Sequence, residues 1–384
     1  MSALDFRARL AALAADDLLR TRRVLDAACG PRAVVDGRQL LALAGNDYLG
    51  LAYHPDVVEA LREGASRWGA GAGASHLVSG HQRPHEELES ALAAFVGLPR
   101  ALSFCTGYMA NLAVLPALAG RGDTIVADRL NHASLVDAAQ LSRATVRRYP
   151  HNDVSAAARA LEGGSGRKVV VTDAVFSMDG DIAPLTELLA LCERHDALLV
   201  IDDAHGFGVL GEHGSGALSH CGIASPRVVY MGTLGKAAGV SGAFVAGDPD
   251  LVEWLMQTGR SYRYTTAAPA ALACALLASL RIIASADDRR ALLAAHRAQL
   301  RRELASARWT LMPSDTAIQP LLVGGNADAL ALAARLLERG IWVPAIRPPT
   351  VPAGTARLRI SLSAGHSVDD VAALCSALIE AGHD

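Results

Sequence analysis

The sequence predicts an α/β protein: a large doubly wound, mostly parallel sheet domain, a smaller C-terminal α/β domain and an N-terminal helical arm. Three observations lead there. From Pro84 to Thr233, segments with helical periodicity alternate with short β-branched runs bounded by Gly, Asp and Ser. Those runs are apolar throughout, as strands covered on both faces of a parallel sheet must be. After Ala307 the pattern changes to strands and two helices in a shorter run, which marks a second unit. Ligands of such sheets bind beyond the carboxyl ends of the strands, so the residues after each strand are where chemistry is expected.

The elements follow in order. Residues from Met1 to about Arg22 place apolar and charged positions at helical spacing, predicting an amphipathic lead helix. VVDGRQLLALAGNDYLGL reads as a short hairpin turning at Asp36-Gly37, then a loop. HPDVVEALREGASRW is a helix, and GAGAGASHLVSGH is too rich in Gly for helix or strand. The alternating region runs through helix PHEELESALAAFVG, strand RALSF, a helix from near Tyr108, strand TIVAD, a helix from about Ala133 and strand TVRRY. Strand KVVVTD, helix LTELLALCERH and strands ALLVIDD and RVVYMGT extend it. The longest apolar run, Ala267 to Leu280, contains Pro269 and is too short to span a bilayer, so it suits a buried helix. Strand TAIQPLLVG, a helix to Glu338, GIWVPAI, TARLRISLS and a last helix form the second unit. The expected divisions are an arm over 1–45, a large domain over 46–284 and a small domain over 285–384.

Bulk properties exclude several classes. The chain is 51% hydrophobic, which suits a globular protein, and a net charge of −3 offers no electrostatic case for nucleic acid. The six cysteines show neither CxxC pairing nor compact His/Cys spacing, and read as small hydrophobes in a reducing compartment. Asp5, Arg7, Arg9, Asp16 and Asp17 interrupt the apolar core a signal peptide needs, so a soluble, cytoplasmic protein is expected.

Lysine is the most informative residue type. Only Lys168 and Lys236 occur, against 34 arginines. Arg stays protonated at any working pH, whereas a buried Lys can lose its proton and attack a carbonyl. Lys168 leads a strand out of a Gly-rich loop, and a solvated charge explains it; Lys236 follows a strand in YMGTLGKAAGVSG, near Thr233 and Ser241. Other polar residues gather at strand ends. FCTGYMAN places Thr106, Gly107 and Tyr108 at a helix start whose free N–H groups suit a phosphate. His132 follows TIVAD, while Ser177 and Asp179 follow KVVVTD. Asp202 and Asp203 end ALLVIDD, where strand alternation points them to opposite sides, and His205 comes next. A metal on Asp202, Asp203 and His205 has no supporting second cluster and ranks below a cofactor contact. The Walker lysine motif is missing, which weakens a nucleoside-triphosphate reading. Pyridoxal phosphate accounts for all these pieces: it needs a lysine, an anion-binding helix start and a carboxylate for its ring nitrogen.

The segments NDYLGL, GASHLVSG, ADRLNHASLVDA, VFSMDGD, IDDAHGFGVLGEHG, TLGKAAGVSGAF and AIRPPTVPAGTARLRISLSAGH run from about Asn46 to His366. With them the chain resembles the α-oxoamine synthase family of fold-type I pyridoxal-phosphate transferases. The resemblance implies Lys236 as the Schiff-base lysine, Asp202 as the ring-nitrogen partner and His132 stacked on the ring. Ser177 and His205 would contact the ring oxygen. Gly107, Tyr108 and Thr233 would hold the phosphate, with Thr266 reaching the phosphate of a neighbouring subunit. That makes the expected assembly a homodimer with composite sites. Arg20, Thr350 and Arg359 would bind substrate, Arg359 pairing with an amino-acid carboxylate. The C-terminal segment and compact length point, within the family, to L-alanine and a pimeloyl thioester on coenzyme A or a carrier protein, a step of biotin biosynthesis. Relatives using glycine with acetyl- or succinyl-coenzyme A, or serine with a long acyl chain, stay open, as does an aminotransferase on the same fold.

Overall fold

The structure is a computed structural model that describes residues 5–383, with His383 described for its backbone alone. The chain divides into two compact units: Leu49–Ser177 with Ile182–Arg290, and Met1–Tyr48 with Met178–Asp181 and Ala291–Asp384.

The larger unit is built on a seven-stranded sheet. Its strands are β3 (Arg100–Phe104), β4 (Thr124–Asp128), β5 (Thr145–Tyr149), β6 (Lys168–Asp173), β7 (Ala197–Asp202), β8 (Val228–Thr233) and β9 (Ala243–Gly247), after the N-terminal pair β1 (Arg32–Val35) and β2 (Arg38–Ala42). The order across the sheet is β3-β9-β8-β7-β6-β4-β5. Only β9 runs against its neighbours, so β3, β4, β6, β7 and β8 all end on the same side. Every residue of β4, β8 and β9 is buried, as expected of strands covered on both faces. Leu102, Ile125, Val169, Val171, Val200, Val229 and Val245 pack one face of the sheet on helix Gly107–Leu118 and its neighbours.

The smaller unit holds an antiparallel sheet of β10 (Thr310–Leu311), β11 (Ile318–Gly324), β14 (Ala356–Ser361) and β13 (Ala345–Ile346), in that order. The β1–β2 hairpin pairs there with β12 (Ile341–Trp342). Asp36 and Gly37 both adopt positive φ at its turn, the backbone that two-residue hairpins require.

Three expectations need correction. The lead helix covers Phe6–Ala15 and ends at Asp16, followed by Asp17 with φ 57°, so the segment to Arg22 does not continue it; Met1–Leu4 lie outside the described residues. None of its residues is buried, and Phe6, Leu10 and Leu13 are exposed. His76–Gly80 is a π-helical turn, closed by Gly80 N–H donating to Ser75 O at 3.0 Å. A Cβ at Gly80 would stand 2.1 Å from Ala74 O, so only glycine closes that turn. Strand β9 was also not foreseen, because GAFVAG is short and flanked by Gly. Among the described residues no single helix is long and apolar enough to cross a membrane; Ala270–Ser285 and Asp287–Glu303 reach that length only as a pair bent by 67°.

Candidate active site

Five strand ends of the larger unit deliver the polar residues. Beyond β3, Thr106 caps helix Gly107–Leu118, its Oγ1 accepting from Met109 N–H at 3.2 Å. The N–H groups of Gly107 and Tyr108 precede the first intrahelical bonds, so they face outward as unspent donors at the positive end of the helix dipole. Beside them, Thr233 at the end of β8 donates to Gly242 O at 3.2 Å, its Oγ1 3.8 Å from where a Cβ of Gly107 would stand. A helix start with two open N–H groups, no side chain at Gly107 and a hydroxyl alongside is a fitting cradle for a phosphate.

Beyond β8, Lys236 Nζ lies 2.8 Å from Nε2 of His205, in the segment after β7. His205 is buried and Lys236 half-buried. Asp202 ends β7 and is buried; its Oδ1 accepts from Ala204 N–H at 3.1 Å and its Oδ2 from Asn111 Nδ2 at 2.8 Å. Asp203 faces the other way, with Oδ2 accepting from Tyr230 OH at 2.8 Å and Ala217 N–H at 2.7 Å. Burial pushes the Asp203 carboxyl up to about 7, against the pull of those donors. The two aspartates thus present no common face for a metal ion.

His132 follows β4. Its N–H donates to Asp173 Oδ2 at 2.7 Å, and its Nδ1 receives Ser134 N–H at 3.2 Å and Ser134 Oγ at 2.7 Å. Loss of solvation holds the ring below the usual imidazole range, opposed by the Asp202 charge. Asp173 lies opposite Asp202 in the β6–β7 ladder, and burial followed by the Asp202 charge raises its carboxyl well above the ordinary value. Tyr108 OH donates to Asp137 Oδ2. Ser177 is half-buried after β6, and Thr266 is exposed, its carbonyl facing Cys105 Sγ at 3.5 Å.

The larger unit therefore carries Gly107, Tyr108, His132, Ser177, Asp202, His205, Thr233, Lys236 and Thr266. Arg20, Thr350 and Arg359 belong to the smaller unit. There Arg20 Nη2 donates to Thr350 Oγ1 at 3.0 Å, which brings those two together. Arg359 is buried in β14, donating to Ser361 Oγ at 2.9 Å and Asn46 Oδ1 at 3.0 Å. Two groups escaped the sequence reading. Asn111 and Ser134 carry the contacts behind Asp202 and His132; the available signal was a lone amide inside the apolar helix GYMANLAVLPAL. Arg357 forms a buried ion pair with Asp179 at 2.8 Å.

The residues at these strand ends fit pyridoxal phosphate: a lysine amine beside an imidazole, a buried carboxylate held by two donors, and an open helix start. Comparison with known proteins agrees. The family model described as aminotransferase class I and II matches residues 38–378. The chain is 63% identical over 97% of its length to the 8-amino-7-oxononanoate synthase of Aromatoleum aromaticum, of which it covers 97%. Among solved structures it is similar to a serine palmitoyltransferase from Sphingomonas wittichii (TM-score 0.93, 34% identity, 100% of this chain and 98% of that one). A further serine palmitoyltransferase, described with pyridoxal phosphate, matches at TM-score 0.92 and 30% identity over 98% of this chain and 96% of its own. The chain belongs to the 8-amino-7-oxononanoate synthase family, pyridoxal-phosphate-dependent acyltransferases of biotin biosynthesis on the fold-type I scaffold.

Proposed function

We propose that this chain condenses L-alanine with a pimeloyl thioester, carried by coenzyme A or a carrier protein, to give 8-amino-7-oxononanoate, carbon dioxide and the free thiol. The observation that carries the reading is the 2.8 Å contact of Lys236 Nζ with His205 Nε2, next to the buried Asp202. When bound, pyridoxal phosphate supplies an electron sink that makes the alanine Cα proton acidic and steadies the carbanion that attacks the thioester.

The chain's own residues do the rest. Lys236 would hold the cofactor covalently, and its Nζ would take and return the Cα proton. His205 steers that amine, because a ring nitrogen 2.8 Å away fixes where Nζ points. Asp202 would hold the ring nitrogen of the cofactor, and His132 would offer a flat ring beside it. Gly107 and Tyr108 N–H groups and the Thr233 hydroxyl bind the phosphate. Ser177 and His205 contact the ring oxygen. Arg359 pairs with the alanine carboxylate through its planar fork, and Arg20 and Thr350 contact substrate. Thr266 serves a neighbouring subunit's phosphate, which makes the working form a homodimer, placed in the cytoplasm.

Product mass after incubation with each amino acid and thioester pair tests the reading. Alanine with pimeloyl thioester is expected to be preferred. A single methyl in an apolar pocket discriminates by only about 1–3 kcal/mol, so slow turnover of glycine is compatible with it. Faster reaction of glycine with acetyl or succinyl thioester would overturn the substrate assignment.

A further inference from the structure

Helix Gly107–Leu118 is apolar along its buried face except at Asn111, which is fully buried. Its Nδ2 donates to Asp202 Oδ2 at 2.8 Å and to Ser134 Oγ at 2.9 Å. A carboxylate only accepts, so the amide must present its NH2 group to Asp202. Its Oδ1 is then left buried without a hydrogen-bond partner among the described residues. An orphaned buried carbonyl is costly, and an apolar residue would fill this helix position without that cost. What Asn111 provides is therefore its two N–H donors.

The contacts continue in one consistent direction. Ser134 Oγ accepts from Asn111 and donates to His132 Nδ1 at 2.7 Å, and Ser134 N–H points at the same nitrogen from 3.2 Å. With two donors on Nδ1, that nitrogen carries the lone pair and the ring proton sits on Nε2. Gly107, at the start of the same helix, lies four residues before Asn111, hence on the same helix face. One helix therefore bears both the open N–H groups and the amide that holds Asp202.

Resting on the reading of Asp202 as the ring-nitrogen partner, we propose that Asn111 is a positioning residue. It fixes the Asp202 carboxylate and, through Ser134, locks His132 in its Nε2–H form, so one buried amide sets both groups.

The test titrates apo-protein with pyridoxal phosphate between pH 6 and 9 for the wild type, Asn111→Ala, Asn111→Asp and Ser134→Ala. The Asn111 variants are repeated on an Asp202→Asn background. Asn111→Ala is expected to weaken cofactor binding about tenfold or more at every pH, the loss of one charge-assisted hydrogen bond. Asn111→Asp is expected to bind nearly as well as wild type at the lowest pH, where a proton shared by the two carboxyls restores a donor. Its affinity then falls as pH rises, because two adjacent carboxylates resist joint ionisation. A purely structural role would not create that pH dependence. On the Asp202→Asn background the Asn111 variants should lose little more. Ser134→Ala keeps the Asn111–Asp202 bond and covers the case in which Asn111 variants do not fold; it should move the pH midpoint of the visible cofactor band. Wild-type affinity in Asn111→Ala, a pH-independent Asn111→Asp, an effect that persists without Asp202, or an unmoved midpoint in Ser134→Ala would each overturn the proposal. Wild-type affinity in Asp202→Asn alone would instead remove the reading of Asp202, and the proposal with it.

Discussion

Replacing Asp203 by Asn should remove a pH-dependent weakness of the fold while leaving catalysis largely intact. The Asp203 carboxyl is fully buried and raised to about 7, with desolvation the largest cause. In the unfolded chain the same group titrates near about 3.9. Between those values the unfolded chain is ionised there and the folded one is not, so the folded state binds the extra proton. Stability then falls as pH rises, by about 1.4 kcal/mol per unit, and levels off above about 7. About three units of separation make about 4 kcal/mol across the window. Asn cannot ionise, and its carbonyl can still accept from Tyr230 OH and Ala217 N–H, the two donors on Oδ2. In a chain of 384 residues each kcal/mol moves the unfolding midpoint by about 1–3 °C. The midpoint difference between variant and wild type should therefore grow by roughly 5–10 °C from pH 4 to 7, in the variant's favour. Thermal unfolding followed by circular dichroism at one-unit intervals reads this directly. Parallel curves would show that Asp203 titrates alike in both states and that its burial carries no such cost.

Asp202→Asn should behave differently from Asp203→Asn: the fold persists, but turnover falls by about 10²–10³, the usual scale for losing a preorganised charge at a reacting centre. Steady-state assays of both variants check this, and equal losses would mean that the two acids share one role. Composite dimer sites make a second expectation. Mixing inactive Lys236→Ala with an inactive Thr266 variant should restore part of the activity in heterodimers, and no rescue despite confirmed subunit exchange would argue for self-contained sites.

Much of this was legible in the sequence, for physical reasons. Strands β4, β6, β7 and β8 are buried on both faces, so their apolar runs stood out and the residues after them marked the strand ends. Strand alternation predicted that Asp202 and Asp203 face different surroundings, and the structure sends the two carboxylates to different partners. What escaped depends on chain segments meeting across long separations. Asn111 meets Asp202 from 91 positions away, and Arg357 meets Asp179 from 178 away, distances no local pattern encodes. The π-helical turn at His76–Gly80 was hidden because its glycines read as loop, although Gly80 is there to let the backbone close on Ala74. The lead helix was drawn too long because charge spacing alone does not mark an end; Asp17 supplies it by turning to positive φ.

The central claim is that Lys236 carries the cofactor, and borohydride reduction of the holoenzyme followed by peptide mapping tests it most directly. With only two lysines in the chain the outcome is unambiguous. The account predicts the reduced cofactor on the peptide containing Lys236, with Lys168 unmodified. An adduct on Lys168, or none on either lysine, would contradict it.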